Sequence, residues 1–401
     1  MESTQSAAEP LLVPRDGVPE PVDTDAELAA AVSTLRAGAG PVAVDAERAS
    51  GYRYGQRAYL VQLRRAGTGT ILIDPTPFAD LRVVNDAIGD AEWVLHAASQ
   101  DLPCLTEISM RPKRLFDTEL AGRLGGYARV GLGAMVEELL GFALEKGHSA
   151  VDWSTRPLPH DWLVYAALDV EVLVELRDAL KAELSRQGKL EWALEEFEAL
   201  ASAPPPPPRA EPWRRTSGIH KVRNVRGLAR VRALWEARDA LAQQRDTAPG
   251  RVLPDGAIIA AALAQPTDEH ELFKIGAFAA RHARRSAHTW LSALRQAAAL
   301  TDAELPGSAP GASGPPPLHR WSDKNPEAAV RLAKARAAVA ELAEQHNVPT
   351  ENLLAPALIR QLAWIPPTQV SAESVGAELR ERGARSWQID LSAQSLAVAL
   401  T

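Results

Sequence analysis

Five residues of this 401-residue chain have types and spacings suited to metal chemistry: Asp45, Glu47, Asp101, Tyr165 and Asp169. Asp45 and Glu47 end the stretch ProValAlaValAspAlaGlu at 41–47, which reads as a strand. The two-residue period of a strand points both carboxylates to one face. Like charges side by side repel, and a divalent cation is the usual way to make such a pair favourable, although a solvated strand end would also carry them. Asp101 lies five residues after His96, the last residue of TrpValLeuHis at 93–96. A strand, a short turn and an acid in the first turn of a helix bring a carboxylate over a sheet edge, where α/β folds build sites. A contact with the helix dipole would equally account for that acid. Tyr165 and Asp169 stand four apart in HisAspTrpLeuValTyrAlaAlaLeuAspValGluValLeu, so a helix stacks them on one face. The stripe of Leu163, Ala166, Leu173 and Leu176 predicts that this helix is buried, which makes an unpaired acid within it costly. Four such carboxylates can hold two Mg²⁺ or Mn²⁺ ions about 4 Å apart, one activating water and one stabilising the leaving oxygen of a phosphodiester.

The elements that would position these groups form a mixed α/β pattern. Strands are predicted at 41–47, 56–64 and 70–74, separated by glycine-bearing turns and able to form a meander. Helical periodicity follows near 77–88, then a short strand at 93–96, a helix over about 99–108, a strand near 114–117 and further helices. Within this frame His96 reads as a satisfied histidine at a strand end, and Asp117 with Thr118 reads as a helix N-cap.

Proline and glycine divide the chain into three bodies. The run at 203–212, with five consecutive prolines among its first residues, favours a stiff polyproline spacer, and a second Pro/Gly-rich break spans 301–321. The expected units are a loose N-terminus over 1–20, a first body at 21–202, a helical module at 213–300 and a second one at 322–401. The two modules look like copies at an offset of 100, with Arg251 over Glu351, Pro249 over Pro349 and Pro266 over Pro366. An apolar helix precedes each loop, at about 226–244 and 328–345.

The net charge of −7 conceals an uneven distribution: about −13 before residue 209, +8 over 209–300 and −2 thereafter. A basic centre beside an acidic body suits a metal-dependent nuclease joined to a nucleic-acid-gripping module. In that centre Lys221, Arg223, Arg226 and Arg230 could track phosphates, or form an ordinary solvated helix face, while Trp213 and Trp235 are expected to pack. This division predicts a first body separable at about Ser202, with the weakly charged third body mattering least to nucleic-acid binding. A single cysteine, Cys104, and a start without a basic, apolar leader point to the cytoplasm. No stretch reaches the length of a membrane span, and no obligate protein partner is evident.

The order Asp-x-Glu, Asp, Tyr-x-x-x-Asp resembles the tyrosine-bearing branch of the DEDD exonuclease superfamily, and most of residues 20–300 resembles the ribonuclease D family within it. The likeness extends to HisAlaAlaSerGlnAspLeu at 96–102, PheAspThrGluLeuAlaGlyArgLeuGlyGly at 116–126 and SerAlaValAspTrpSerThrArgProLeu at 149–158. It implies an α/β ribonuclease-H-like exonuclease domain, a mixed sheet flanked by helices, followed by two small all-α HRDC-type domains. It further implies that Asp45, Glu47, Asp101 and Asp169 bind two divalent metal ions while Tyr165 bonds the attacking water or the scissile phosphate. The expected activity is removal of 5′-mononucleotides from RNA 3′ ends, with structured RNA such as tRNA precursors as partner. A DNA-directed 3′-5′ exonuclease and a catalytically silent nucleic-acid-binding adaptor are the alternatives.

Overall fold

The computed structural model describes residues 8–144, 147, 150–205, 207–307 and 314–401. Ser149 of the 149–158 stretch, Pro206 of the proline run and part of the second linker lie outside the described residues. The first body contains β1 (Glu9–Leu11), α1 (Asp25–Ala37), β2 (Ala39–Arg48), β3 (Ala58–Ala66), β4 (Gly69–Ile73) and α2 (Arg82–Ile88). It continues with β5 (Glu92–Leu95), α3 (Leu102–Glu107), β6 (Arg114–Asp117), α4 (Thr118–Leu124), α5 (Leu132–Leu140) and β7 (Phe142–Leu144). Helices α6 (His160–Glu171), α7 (Leu173–Arg186) and α8 (Leu190–Ser202) complete it.

Five strands form one sheet in the order β4-β3-β2-β5-β6, antiparallel from β4 to β2 and parallel from β2 to β6. The expected meander is therefore the antiparallel half, and the parallel half is reached through α2 and α3. Val42, Ala43 and Val44 of β2 are completely buried, as a central strand covered on both faces requires. The helix expected from residue 77 starts only at Arg82, because Asp74 accepts hydrogen bonds from the Thr76 amide and hydroxyl and turns the chain between Pro75 and Pro77.

The expectation of a loose N-terminus fails for residues 8–20. β1 pairs in parallel with β7, Glu9 opposite Phe142, and beyond it Arg15 reaches Glu171 and Glu175 while Asp16 pairs with Arg64 at 2.7 Å. Its partners lie between 48 and 160 residues away, so local periodicity carries no trace of them. No helix among the described residues is long and apolar enough to cross a membrane.

The middle module comprises α9 (Val225–Gln244), α10 (Pro249–Val252), α11 (Asp255–Ala264), α12 (Glu269–Phe273), α13 (Gly276–Ala279), α14 (Arg281–Arg284) and α15 (Ala287–Ala299). The third comprises α16 (Trp321–Lys324), α17 (Pro326–Gln345), α18 (Thr350–Leu353), α19 (Pro356–Trp364), α20 (Ala372–Glu381) and α21 (Ser386–Leu400). They share a construction, but at an offset of 101 rather than 100. Asn224 caps α9 through the Gly227 amide as Asn325 caps α17 through Ala328. Arg230 Nε donates to Ala262 O as Arg331 Nε donates to Ala363 O, and Asp246 and Asn347 both take a left-handed turn. Aligning prolines misled the register because Pro349 occupies the place of Ala248, each immediately before the short helix.

The modules attach to the first body differently. The middle one keeps a core of its own, with Tyr54 reaching into it from the loop after β2. There Ala248 N donates to Tyr52 O, Arg251 Nε to Gly51 O and the Tyr54 hydroxyl to Asp239. The third shares one continuous apolar core with the first body. Trp192 of α8 stacks on Trp387 of α21 with centroids 5.0 Å apart, Lys189 Nζ donates to both Leu124 O and Asn347 O, and the Glu195 carboxylate accepts from Ser386 N.

Candidate active site

Asp45, Glu47, Asp101, Tyr165 and Asp169 all line one cavity of about 680 Å³. β2 delivers the first two: Asp45 lies opposite Gln62 and Glu47 opposite Leu60, on the face against which α6 packs. Tyr165 and Asp169 come from that helix, one turn apart, and the tyrosine hydroxyl hydrogen-bonds the Asp169 carboxylate. Carboxylate oxygens of Asp45, Glu47 and Asp169 lie within 4.8 Å of one another. Asp101 stands at the N-cap position of α3, yet its side chain makes no cap hydrogen bond. It turns into the cavity instead and meets Arg48 at 3.3 Å, so the helix-dipole explanation does not account for its orientation.

Burial dominates the electrostatics. It raises Asp45 to about 6 and Asp101 to about 8, the latter helped by the charge of Asp45, and holds Glu47 and Asp169 well above the ordinary carboxylate range. Repulsion from neighbouring acids adds to the shifts of Glu47, Asp101 and Asp169, and Arg48 opposes those of Asp45, Glu47 and Asp101. Burial and the Asp169 charge also raise Tyr165, which keeps its proton and acts as a donor. A compact set of oxygen donors that resists ionisation until a cation arrives fits a hard divalent metal ion. Gln62, opposite Asp45 in the sheet, is fully buried and its amide has no hydrogen-bond partner among the described residues.

The neighbouring motifs scaffold this set. Asp117 does cap α4, accepting from Glu119 N and Leu120 N, and its carboxylate also accepts from Ala97 N and Ala98 N. It thereby holds the turn that aims Asp101, at the point where Ala97 adopts a φ of 58°. His96 Nδ1 sits 2.9 Å from the Thr118 hydroxyl, and burial lowers the imidazole to about 4, so it is neutral. In the 149–158 stretch, Trp153 is completely buried behind Tyr165, centroids 6.4 Å apart, and Arg156 clamps Asp74 and Tyr59 O.

Sequence reasoning missed Arg48 and Arg129, both lining the cavity. Strict alternation would turn Arg48 away from Glu47, but the register shift between those two residues brings it towards Asp101. Arg129 lies in the loop before α5, where only its position after GlyGly marked it. Among the basic residues, Lys221, Arg223 and Arg226 are exposed and Arg230 is half-buried. Arg226 and Arg230 have work inside the module: Arg226 pairs with Asp302 at 2.6 Å and donates to Leu300 O, and Arg230 holds Ala262 O and Gln265. Trp213 is buried and Trp235 packs on the same core.

Family models agree with this architecture: 3'-5' exonuclease over residues 19–185, HRDC domain over 227–294 and 3' to 5' exonuclease C-terminal domain over 314–400. Ribonuclease D of Granulibacter bethesdensis is 30% identical over 330 residues, 80% of each chain. The chain belongs to the ribonuclease D family. Escherichia coli RNase D, described as an exoribonuclease involved in structured RNA processing, superposes with a TM-score of 0.68 at 26% identity, covering 90% of this chain and 98% of that one. A protein from Bifidobacterium adolescentis matches with a TM-score of 0.87 and 39% identity, over 98% and 99% of the two chains. As in ribonuclease D, a 3′-5′ exoribonuclease domain with an acidic metal-binding cluster is followed by an HRDC domain and a helical C-terminal region. The third body thus matches a model of its own rather than the HRDC model.

Proposed function

We propose that this protein trims structured RNA, tRNA precursors among them, from the 3′ end with two divalent ions, Mg²⁺ or Mn²⁺. The observation that carries the reading is the convergence of Asp45, Glu47, Asp101, Asp169 and Tyr165 from three separate elements into one cavity. Asp45, Glu47 and Asp169 would hold one ion, and Asp101, released from Arg48, would share in holding the second. When bound, the ions supply an activated water and stabilise charge on the departing oxygen. Tyr165, protonated throughout, donates a hydrogen bond that orients the water or a phosphate oxygen. Arg48, which lines the cavity and pairs with Asp101, would stabilise the charge that develops on the phosphate. Exposed Lys221 and Arg223 of the basic module contact phosphates further along the strand.

The test is incubation of the purified protein with end-labelled RNA and DNA, each with free or blocked 3′ ends, with metal or with chelator. Metal-dependent release of 5′-mononucleotides from free-ended RNA is expected. Internal cleavage, or equal digestion of 3′-blocked RNA, would overturn the reading, and faster digestion of DNA would assign the same site to the other polymer.

A further inference from the structure

Leu12 and Val13 are adjacent aliphatic residues, 53% and 64% exposed, on a segment that is pinned at both ends. Before them β1 pairs with β7; after them Arg15 engages the buried Glu171, and its guanidinium lies 5.2 Å from the Phe142 ring centre. The arm therefore displays an apolar edge to solvent at a fixed place. That edge walls a cavity of about 420 Å³, within the size range of small-ligand sites. The opposite wall is one face of α6, formed by His160, Val164, Tyr165 and Leu168. Tyr165 lines both this cavity and the catalytic one, so the two meet at the tyrosine beside the metal ligands. The arm precedes residue 19, where the match to the exonuclease family model begins.

We propose that this cavity is a nucleobase subsite, in which Leu12 and Val13 pack on the face of one base adjacent to the scissile phosphate. The inference rests on the exonuclease reading, which places that phosphate at the carboxylates. A base is the part of the strand that fits: among the described residues the cavity is walled by the aliphatic side chains of Leu12, Val13, Val164 and Leu168, and the Asp161 carboxylate beside them disfavours a phosphate. Aliphatic side chains reach the flat face common to all four bases, so the contact tolerates any sequence, as stepwise shortening of RNA demands.

The test uses the full-length protein with its metal, and 3′-hydroxyl oligoribonucleotides that are intact or carry an abasic ribose at the last or the penultimate position. Wild type should show KM raised about tenfold by the abasic group at one of these positions, with kcat little changed. A Leu12→Ser/Val13→Ser variant should raise KM for intact RNA by a similar factor and be indifferent to the abasic replacement, while its melting temperature stays put because both side chains are exposed. Wild-type KM in the variant, or an abasic effect that persists in it undiminished, overturns the subsite. Failure of the exonuclease reading is distinguishable, since wild type would then release no mononucleotides from intact RNA.

Discussion

Deleting residues 314–401 should cost the first body its stability, not merely weaken its hold on RNA. Trp192 would lose the Trp387 ring stacked on it, and Tyr127 would lose the wall opposite it, formed by Ala343 and Val348. Uncovering two large side chains costs about 2–3 kcal/mol each. Lys189 would forfeit Asn347 O, Glu195 the Ser386 amide and Glu196 the Trp387 Nε1 proton, about 1 kcal/mol apiece. The sum, about 7–9 kcal/mol, is comparable to the 5–15 kcal/mol that keeps a typical domain folded. Residues 1–313 should therefore aggregate, or unfold at a much lower urea midpoint than the full chain, as followed by circular dichroism. The same holds for truncation at Ser202, against the expectation that charge and linkers alone suggest.

Gly126→Ala probes the joint without deleting anything. Gly126 has a φ of 81°, and a Cβ there would lie 2.0 Å from Asn347 Nδ2 and 2.7 Å from Asn347 O. The substitution must both strain the turn and push α17 from the first body, lowering the urea midpoint in the direction of the truncation. Were residues 1–313 and Gly126→Ala to unfold at the full-length midpoint, the shared core would be energetically idle and the reasoning refuted.

Asp45→Asn, Glu47→Gln, Asp101→Asn and Asp169→Asn should each abolish mononucleotide release while retaining the native circular dichroism spectrum; near-native turnover by folded Asp169→Asn would remove that residue from the metal site. Tyr165→Phe should slow release about 10- to 1000-fold with metal affinity by calorimetry unchanged, because only the hydroxyl is lost and the ring still packs on Trp153. In chelator the melting temperature should fall as pH rises from 5 to 8: with Asp45 raised to about 6 and Asp101 to about 8, the native state holds protons that the unfolded chain has already released, and stability is lost through that window. A flat profile by scanning fluorimetry would count against it, and metal should reverse the trend. Lys221→Gln/Arg223→Gln should reduce the slope of log affinity against log salt for a tRNA-sized ligand by about 2, whereas Arg226→Gln/Arg230→Gln should chiefly lower the module's melting temperature.

What could be read from residue order alone follows the range of the interaction concerned. Asp45 with Glu47, and Tyr165 with Asp169, were legible because strand and helix periods act over two and four residues, and both periods hold where the site is built. Arg48 was not, since a single register shift cancels the alternation that would predict its direction. Charge density located a basic module but could not show that Arg226, though exposed like Lys221 and Arg223, pairs with Leu300 O and Asp302, or that Arg230 is taken up by Ala262 O and Gln265. The same blindness hid the third body: a charge near zero says nothing about a face buried against Trp192 and Lys189. The joint has one local signature, a second consecutive glycine at 126. Only a backbone with no Cβ allows Asn347 so close, and the reason for that glycine became visible once a residue 221 positions later stood beside it.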